Sequence, residues 1–510
     1  MDTAQALTEL VTETDRRRKS ATGELDQEKR GDLGQFLTPA DVARLMASMF
    51  GDLPSDVRVL DAGAGVGALT ASFVAEVCSR AKKPTSIRAT AFELDDILLP
   101  HLRNTLARCG PTCGEVGARF VHRVHHRDFI EAAVEVLGDS LFRDREFSFN
   151  AAILNPPYRK IGTASRERKL LQRVGLEATN LYAAFVALSV MLLEEDGQLV
   201  AIIPRSFCNG PYFRAFRGLL LNEAALLRIH VFDSRKDAFK EDGVLQENVI
   251  IHVRRTRRKP KKITISSSTS ATSKLKSRRL SYADVVRGVA DDRFIHIPTE
   301  ESDDVIARWL NSLPDTLESL GITVSTGRVV DFRAREYLRP EPENGTVPLI
   351  YPCHLANGRV RWPKAESRKP NAIIQSSDTR TLLVPRGYYV VTKRFSAKEE
   401  KRRLVAAVYD PELVPAPFVG FENHVNYFHR AGEGLSRDEA YGLAAFLNSR
   451  PLDQYFRQFN GHTQVNATDL RSLRFPSRLI LHRLGRAGLE PGTEEIEKAV
   501  VREYPLPGQL

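Results

Sequence analysis

Long apolar runs are absent from this chain of 510 residues. No segment reaches the ~18 uninterrupted apolar residues that a membrane-spanning helix requires. The first residues, MDTAQ, are polar and acidic, whereas a secretion signal begins with a basic stretch and continues with an apolar one. These absences argue against a membrane partner and predict a cytoplasmic protein.

Cysteine is scarce as well. Five cysteines, an odd number in a long chain, indicate reduced thiols rather than a disulfide framework. Cys109, Cys113, His122 and His126 have a spacing that only loosely resembles a zinc site. We predict that the cysteines lie in a helix-to-strand loop, that the histidines lie in a strand, and that no metal is bound.

Positive charge, by contrast, is abundant. A net charge of +10 and an isoelectric point near 9.3 favour a polyanionic partner. The hydrophobic content of 42% is enough for the cores of two or three domains. Residues 1–30, with the basic run Arg16–Lys19, are predicted to form a polar helix or arm whose charges are solvated or contact phosphates. Residues 31–300 alternate strand and helix, and 305–510 are predicted to form a separate α+β domain.

The most informative stretch is Asn155-Pro156-Pro157-Tyr158, directly after the apolar run 149–154. Proline has no amide hydrogen, so a buried strand cannot continue its ladder through this stretch. The backbone therefore turns outward at the carboxyl end of a strand, where open α/β sheets bind their ligands.

These four residues suit a planar group that bears an NH2. The lone pair of such a nitrogen is delocalised into the ring, so the nitrogen is a poor nucleophile. Hydrogen bonds from its two N–H groups to the Asn155 side-chain oxygen and the Pro156 carbonyl would return electron density to it. Tyr158 would stack on the heterocycle. A plain proline-rich turn is the competing interpretation.

A glycine-rich turn forms the second strong pattern. A β-branched strand ends at Asp61, and Gly63 and Gly65 follow before a predicted helix over 68–79. Glycines allow a ligand to approach the backbone at a helix N-terminus. Because a carboxylate just before the loop repels a pyrophosphate and attracts an ammonium, the pattern favours an amino-acid-bearing nucleoside over NAD.

Acidic and aromatic residues follow the neighbouring predicted strands. Glu93 ends the next strand, where it can accept from ribose hydroxyls. Asp128 can accept from an adenine amino group and Phe129 can pack on the ring. Upstream, Phe36, Thr38 and Pro39 precede a helix over 39–50, in which Thr38 is predicted to be the N-cap and Pro39 the first helical residue; these side chains can also line a cofactor pocket.

Three patterns lie further along the chain. The strands 226–232 and 248–253 are predicted to pair as an antiparallel edge. The segment 254–279 carries eleven Lys and Arg and is predicted to project from the sheet as a linker or a phosphate-tracking hairpin. Clusters that mix basic, amide and aromatic residues, around 328–333, 393–395, 424–430 and 460–466, are candidates for base and phosphate contact.

Together these motifs resemble, in order and spacing, the gamma-class amino-methyltransferases of bacterial type II restriction–modification systems, which methylate adenine N6 in DNA. The resemblance covers about residues 30–255. It implies a Rossmann-like S-adenosylmethionine-dependent methyltransferase domain followed by a target-recognition domain that binds double-stranded DNA. It assigns catalytic roles to Asn155, Pro156, Pro157, Tyr158 and Phe239, and cofactor contacts to Phe36, Thr38, Pro39, Asp61, Gly63, Gly65, Glu93, Asp128 and Phe129.

The resemblance implies a bacterial, cytoplasmic enzyme that flips an adenine out of the duplex and protects host DNA, with a possible cognate endonuclease that acts independently. Enzymes that methylate guanine N2 in RNA or glutamine in proteins use a similar Asn-Pro-Pro-Tyr slot and remain alternatives. A combined nuclease-methyltransferase is a third, although no Pro-Asp is followed closely by Glu-x-Lys as a nuclease constellation. A non-catalytic DNA-binding module is a fourth.

Overall fold

The computed structural model describes residues 3–25, 36–138, 147–232, 247–288, 293–365, 367–396, 400–461, 463–488 and 493–504. The chain divides into two compact units, Met1–Thr299 and Glu300–Leu510. Within the described residues, no helix is both long and apolar enough to cross a membrane.

A mixed sheet forms the centre of the first unit. Its strands are β1 (Asp56–Ala62), β2 (Ser86–Phe92), β3 (Arg119–His125), β4 (Phe149–Leu154), β5 (Leu193–Pro204), β6 (Ala224–Phe232), β7 (Asn248–Arg255), β8 (Lys262–Ser268) and β9 (Lys276–Ser281). Their order is β3-β2-β1-β4-β5-β7-β6-β8-β9. β7 runs antiparallel between β5 and β6, and β9 is antiparallel to β8.

Helices cover both faces of this sheet, as expected for an α/β fold. They are α1 (Thr3–Glu24), α2 (Ala40–Ser48), α3 (Ala68–Ser79), α4 (Leu98–Glu115), α5 (Phe129–Gly138), α6 (Arg166–Arg173), α7 (Leu181–Leu192), α8 (Arg214–Glu223) and α9 (Tyr282–Val285). Short 3-10 turns occupy Arg205–Cys208 and Pro211–Phe213, and β10 (Val286–Arg287) pairs with β11 (Phe294–Ile295).

The strand order reverses between β1 and β4, and this reversal positions the site. β4 is buried along its whole length, with Leu154 in one hydrophobic layer and Ile153 in the layer on the opposite face of the sheet. Because β1, β2, β3 and β4 are parallel, their carboxyl ends meet at one edge. A ligand crevice forms at such a reversal.

The basic run at the N-terminus is not a simple solvated face. α1 packs its apolar residues, Leu7 and Leu10 among them, into a core layer. Arg18 is only 2% exposed and its Nε donates to Asp15 at 2.8 Å. Arg16 and its neighbour on the helix pair with a glutamate one turn before them.

The segment 254–279 corrects two predictions. It does not project from the sheet, because β8 pairs in parallel with β6 and β9 pairs with β8. For the same reason β6 and β7 are internal strands and not an edge, although their antiparallel pairing is confirmed. Arg255 donates to the carbonyls of Met191 and Leu193 at the end of α7, and Lys259 to that of Leu221 near the end of α8. Such cations stabilise helix C-termini.

The predicted loop at the cysteines is wrong. Cys109 and Cys113 lie inside α4, which continues through Pro111. Both thiols are fully buried, and Cys113 Sγ lies 3.9 Å from Cys78 Sγ on α3. No cluster of three or more His, Cys, Asp or Glu side chains arranged to hold a metal occurs in the part of the chain that the structure describes.

The described residues of the second unit form two sheets. One has the order β12-β22-β19-β20-β16-β15 and the other β13-β17-β14-β21-β18. These strands are β12 (Thr323–Thr326), β13 (Leu338–Arg339), β14 (Thr346–Ile350), β15 (Leu355–Ala356), β16 (Arg359–Val360), β17 (Ala372–Ile374), β18 (Leu383–Pro385), β19 (Tyr389–Lys393), β20 (Ala406–Tyr409), β21 (Phe418–Phe421) and β22 (Val425–His429).

Its helices are mostly C-terminal: α10 (Glu301–Asn311), α11 (Asp331–Ala334), α12 (Arg437–Leu447), α13 (Arg450–Phe459), α14 (Ala467–Arg471), α15 (Arg478–Arg486) and α16 (Glu494–Glu503). 3-10 turns lie at Arg335–Tyr337, Pro352–His354 and Arg380–Leu382. The expected α+β character is confirmed.

Parts of two clusters predicted to contact DNA, 424–430 and 460–466, are internal. Tyr427 and Phe428 are buried in separate core layers, and the Asn426 amide donates to the Val465 carbonyl at 2.8 Å. Asn460 is 5% exposed and accepts from Arg403. These side chains stabilise the unit and are not placed to reach a base edge.

Candidate functional site

A pocket opens at the carboxyl ends of β1, β2, β3 and β4. The space among its lining residues, counted together with the open solvent at its mouth, is about 890 Å³. Most of the predicted site residues line it: Phe36, Gly63, Gly65, Glu93, Asp128, Phe129, Asn155 and Pro157. The glycine turn and the Asn-Pro-Pro-Tyr stretch therefore share one pocket.

The Asn155 amide has a defined orientation. Its Nδ2 donates to the Phe36 carbonyl at 2.7 Å and to Thr38 Oγ1 at 2.9 Å. A carbonyl oxygen can only accept, so the amide nitrogen and not the amide oxygen faces Phe36. The side-chain oxygen, Oδ1, accepts from the Tyr158 hydroxyl at 3.1 Å and retains a second lone pair.

Tyr158 and Pro156 are buried next to Asn155, while Pro157 is half-buried and reaches the pocket. The Tyr158 ring is 7% exposed, and its hydroxyl also lies 3.4 Å from the Ile202 carbonyl on β5. The Phe36 and Tyr158 ring centroids are 6.1 Å apart, with the planes tilted by 40°. Burial raises the pKa of Tyr158 far above its ordinary value, so its hydroxyl remains a donor.

Asp61 lies behind the glycine turn at the end of β1, 1% exposed. Its Oδ2 accepts from Thr70 Oγ1 at 2.6 Å, whereas Oδ1 has no hydrogen-bond partner. Burial raises the pKa of Asp61 to about 7, against the Thr70 hydrogen bonds, and the negative charge of Glu93 adds to the rise. A buried carboxylate with one unpartnered oxygen favours a cation.

Glu93 holds the glycine turn against the end of β2. Its Oε2 accepts from the Gly65 amide at 2.7 Å, and Oε1 accepts from the Leu94 and Asp95 amides at 2.8 Å. Burial raises the pKa of Glu93, while these three N–H groups oppose the rise. Gly65 has a φ of +56°, and a Cβ there would lie 2.8 Å from Leu37 Cδ2. Glycine adopts this left-handed turn without the backbone strain that a side chain would bring.

This arrangement predicts a loss of stability in Glu93→Ala. Without the carboxylate, three backbone N–H groups lose their acceptor, so we expect the free energy of unfolding to fall by about 2–4 kcal/mol. Chemical denaturation of the ligand-free protein measures this change. Glu115→Ala, at the exposed end of α4, is the matched control and leaves the midpoint in place. Equal midpoints for the two variants contradict the prediction.

Of the remaining predicted residues, some line the pocket and others pack behind the lining residues. Asp128 Oδ1 accepts from the Glu131 amide at 2.9 Å, which caps α5. Phe129 is 3% exposed and packs edge-on against Phe92 at 5.3 Å. Thr38 is not the N-cap of α2: Pro39 holds that position without a side-chain hydrogen bond, and the Thr38 hydroxyl accepts from Asn155 instead. Phe239 lies outside the described residues.

Several residues that line the pocket have no distinguishing sequence pattern. Phe185, on the apolar helix α7, lies 3.7 Å from a Cβ built at Gly63, and no pattern in that helix distinguishes it from core. Arg159 and Glu167 line the pocket and pair with each other at 2.8 Å. Arg159 belongs to the short basic stretch that follows Tyr158, whereas no pattern in the sequence distinguishes Glu167.

Comparison with known proteins identifies relatives of this chain. The family model described as Eco57I restriction-modification methylase matches residues 118–239. The type II methyltransferase M.PstI of Providencia stuartii is 47% identical over 462 residues, which is 90% of each chain. The type II methyltransferase M.BsuBI of Bacillus subtilis is 46% identical over 488 residues, 95% of each chain.

A solved structure agrees in fold. The type IIL restriction-modification enzyme MmeI, solved in complex with DNA, matches 91% of this chain and 71% of its own with a TM-score of 0.52 and 11% identity. The likeness at this identity is one of architecture. Because the two curated relatives are nearly half identical over almost their whole lengths, the chain belongs to the type II methyltransferases, the modification enzymes of restriction–modification systems.

Proposed function

We propose that this protein methylates N6 of an adenine within a specific sequence of duplex DNA, with S-adenosylmethionine as the methyl donor. The observation that carries the proposal is the Asn155 amide, which lies in the same pocket as the glycine turn and is oriented by two hydrogen bonds from its nitrogen and one to its oxygen. A cognate endonuclease would act independently on unmethylated DNA.

The residues present fit S-adenosylmethionine. The unpartnered, buried Asp61 Oδ1 and the Glu93 carboxylate provide negative charge for a ligand that carries an ammonium and a sulfonium. Gly63 and Gly65 leave their backbone open to the pocket, and Asp128 and Phe129 offer an acceptor and an aromatic ring for an adenosine base. When bound, this cofactor supplies an electrophilic methyl group.

Asn155 and Pro156 act on the target amino group. Asn155 Oδ1 and the Pro156 carbonyl accept its two hydrogens, which localises the lone pair on nitrogen as the amino group becomes tetrahedral. Neither residue needs to ionise, so activation depends on position and not on a base. The nitrogen–carbon bond would form as the methyl group's bond to sulfur breaks, and the methylated nitrogen, then cationic, would lose one proton to water. The Tyr158 ring, which is buried directly behind Asn155, is proposed as one aromatic face for the flipped base, and Phe239 as the other.

The second unit is proposed to recognise the DNA sequence. Phe332 is 77% exposed, unusually high for a large apolar side chain, and the Arg333 guanidinium lies 5.4 Å from its ring centroid. Arg328 is also exposed on this unit. Exposed arginines and an aromatic ring support contacts to phosphates and bases.

Other acceptors for the methyl group remain testable. Transfer to guanine N2 in RNA or to a protein glutamine would use the same slot, and the family of type II methyltransferases favours DNA over both. Incubation with labelled S-adenosylmethionine and DNA, RNA or protein separates the three. Cleavage of DNA with magnesium would indicate a combined nuclease.

The decisive experiment expresses the protein in a methylation-deficient host and sequences the DNA by a method that detects modified bases. We expect N6-methyladenine at nearly every copy of one short sequence, and none in cells that carry an empty vector. Modified cytosine, or no modified base alongside labelled RNA or protein in vitro, overturns the proposal.

A further inference from the structure

The Thr38 hydroxyl lies 2.9 Å from Asn155 Nδ2, although 117 residues separate the two in sequence. Thr38 is 5% exposed and is not among the residues that line the pocket. Because Thr38 lies behind the pocket wall, its hydroxyl contacts a side chain that forms the wall. That side chain is the Asn155 amide, which faces the target base in the proposed function.

The geometry explains why this contact has consequences. A primary amide nitrogen carries two hydrogens, and the two acceptors found for Asn155 are the Phe36 carbonyl and Thr38 Oγ1. The Tyr158 hydroxyl holds the amide on its oxygen side, so without Thr38 the amide keeps one hydrogen bond at each end but has one N–H without an acceptor. The second hydrogen bond on the nitrogen restricts rotation of the amide plane further and therefore sets the direction of the free lone pair on Oδ1.

We infer that Thr38 is a positioning residue for methyl transfer, which sets the amide plane of Asn155 and does not act mainly by binding the cofactor. The inference rests on the proposed function. It also assigns the segment 36–38 a second role, because its backbone and side chain hold the amide while the Phe36 ring lines the pocket. Displacement of this segment would release the cofactor wall and the amide together.

The test compares Thr38→Val with Thr38→Ser. Valine has nearly the same shape and lacks the acceptor, while serine keeps the hydroxyl. We expect Thr38→Val to lower kcat about 10- to 50-fold, since misplacement of a reacting group is costly, with the KM for DNA and the Kd for S-adenosylmethionine within about threefold. Thr38→Ser should recover most of the lost kcat.

Thr85→Val is the matched control. Thr85 is exposed before β2, at the opposite edge of the sheet, and its hydroxyl also makes one hydrogen bond, to the Ser55 carbonyl at 3.1 Å. Its kcat should equal that of the native protein. If Thr38→Val weakens cofactor binding and leaves kcat unchanged, or if serine loses as much kcat as valine, the inference is wrong.

A second readout does not depend on catalysis. Melting temperatures of Thr38→Val, Asn155→Ala and the double variant, all without cofactor, form a double-mutant cycle. We expect the loss in the double variant to be smaller than the sum of the two single losses, because the Thr38 hydroxyl has no amide to hold once Asn155 is removed. Additive losses refute the coupling. A native protein that fails to methylate DNA refutes the proposed function and leaves this cycle interpretable.

Discussion

Asn155→Ala should abolish methyl transfer while the protein still binds S-adenosylmethionine. Alanine removes the acceptor that activates the amino group, and loss of one well-placed electrostatic contact in a transition state typically costs 10²–10³-fold or more in kcat. We expect a fall of at least about 10³-fold here, because the amide also fixes the edge of the base, whereas the Kd for the cofactor should change by less than about threefold.

Single-turnover transfer to a DNA duplex that contains the recognition sequence measures the first quantity, and calorimetry measures the second. Asn104→Ala, on an exposed part of α4, is the matched control and should transfer at the native rate. The altered amide lies on the pocket wall, so a small cofactor effect is compatible with the proposal. Near-normal turnover of Asn155→Ala would contradict the proposal, because it would mean that another group activates the amino nitrogen.

The sheet and its glycine turn were predictable because their signals are local. A six-residue apolar strand that ends in Asn155 and two prolines has few other structures available, and its bounds, Phe149–Leu154, agree with the structure. The helix Ala68–Ser79 was predicted to the residue for a similar reason, since three closely spaced glycines end at Gly67. Residues that follow the carboxyl ends of parallel strands lie close together, because those ends meet at one edge of the sheet.

Other features depend on tertiary contacts that no local pattern reports. β8 has only Ile263 and Ile265 as apolar residues among charged and hydroxyl side chains, so its sequence resembles a linker. It becomes a strand by pairing with β6, more than thirty positions earlier. Thr38 has the residue type of an N-cap, yet its hydroxyl is used by an amide that the chain brings back much later.

The helix α4, which was predicted to end in a loop at the cysteines, has a helical pattern that the sequence shows. Leu102, Leu106, Cys109 and Cys113 are buried along one face of α4 at a spacing of three and four, which is the helical period. Pro111 outweighed that periodicity in the prediction of a loop. The buried face stabilises the helix enough to offset the hydrogen bond that proline cannot make, so the period deserved more weight than the single breaker.

Asp61→Asn should weaken S-adenosylmethionine binding and remove a pH dependence. The substitution keeps an acceptor for Thr70 but removes the negative charge that would pair with the cofactor's ammonium. Removal of one partner from a buried charge pair commonly costs about 3 kcal/mol or more, which is on the order of 100-fold in Kd. In the native protein, affinity should rise as the pH increases toward about 7 and then level off, because the carboxylate must be ionised to attract an ammonium.

The stability of the ligand-free protein should have the opposite pH dependence. Asp61 has a pKa of about 7 when folded and an ordinary value of 3.8, so its contribution to stability is complete below pH 3.8 and is lost as the pH rises toward 7. That change corresponds to about 4 kcal/mol at most. The neutral variant should lose this part of the slope, while Glu93, whose pKa burial also raises, retains its own part.

Denaturation and cofactor titration from pH 5 to 8 measure both dependences on the same samples. Asp52→Asn, exposed before β1 and away from the pocket, should show the native curves. If Asp61→Asn binds the cofactor as tightly as the native protein at pH 8, the carboxylate does not hold the ammonium. In the native protein, cofactor affinity and ligand-free stability should change in opposite directions with pH, and both changes should be absent or reduced in Asp61→Asn. That result would assign both effects to one ionising group. The proton that stabilises the ligand-free fold is the one that cofactor binding must displace.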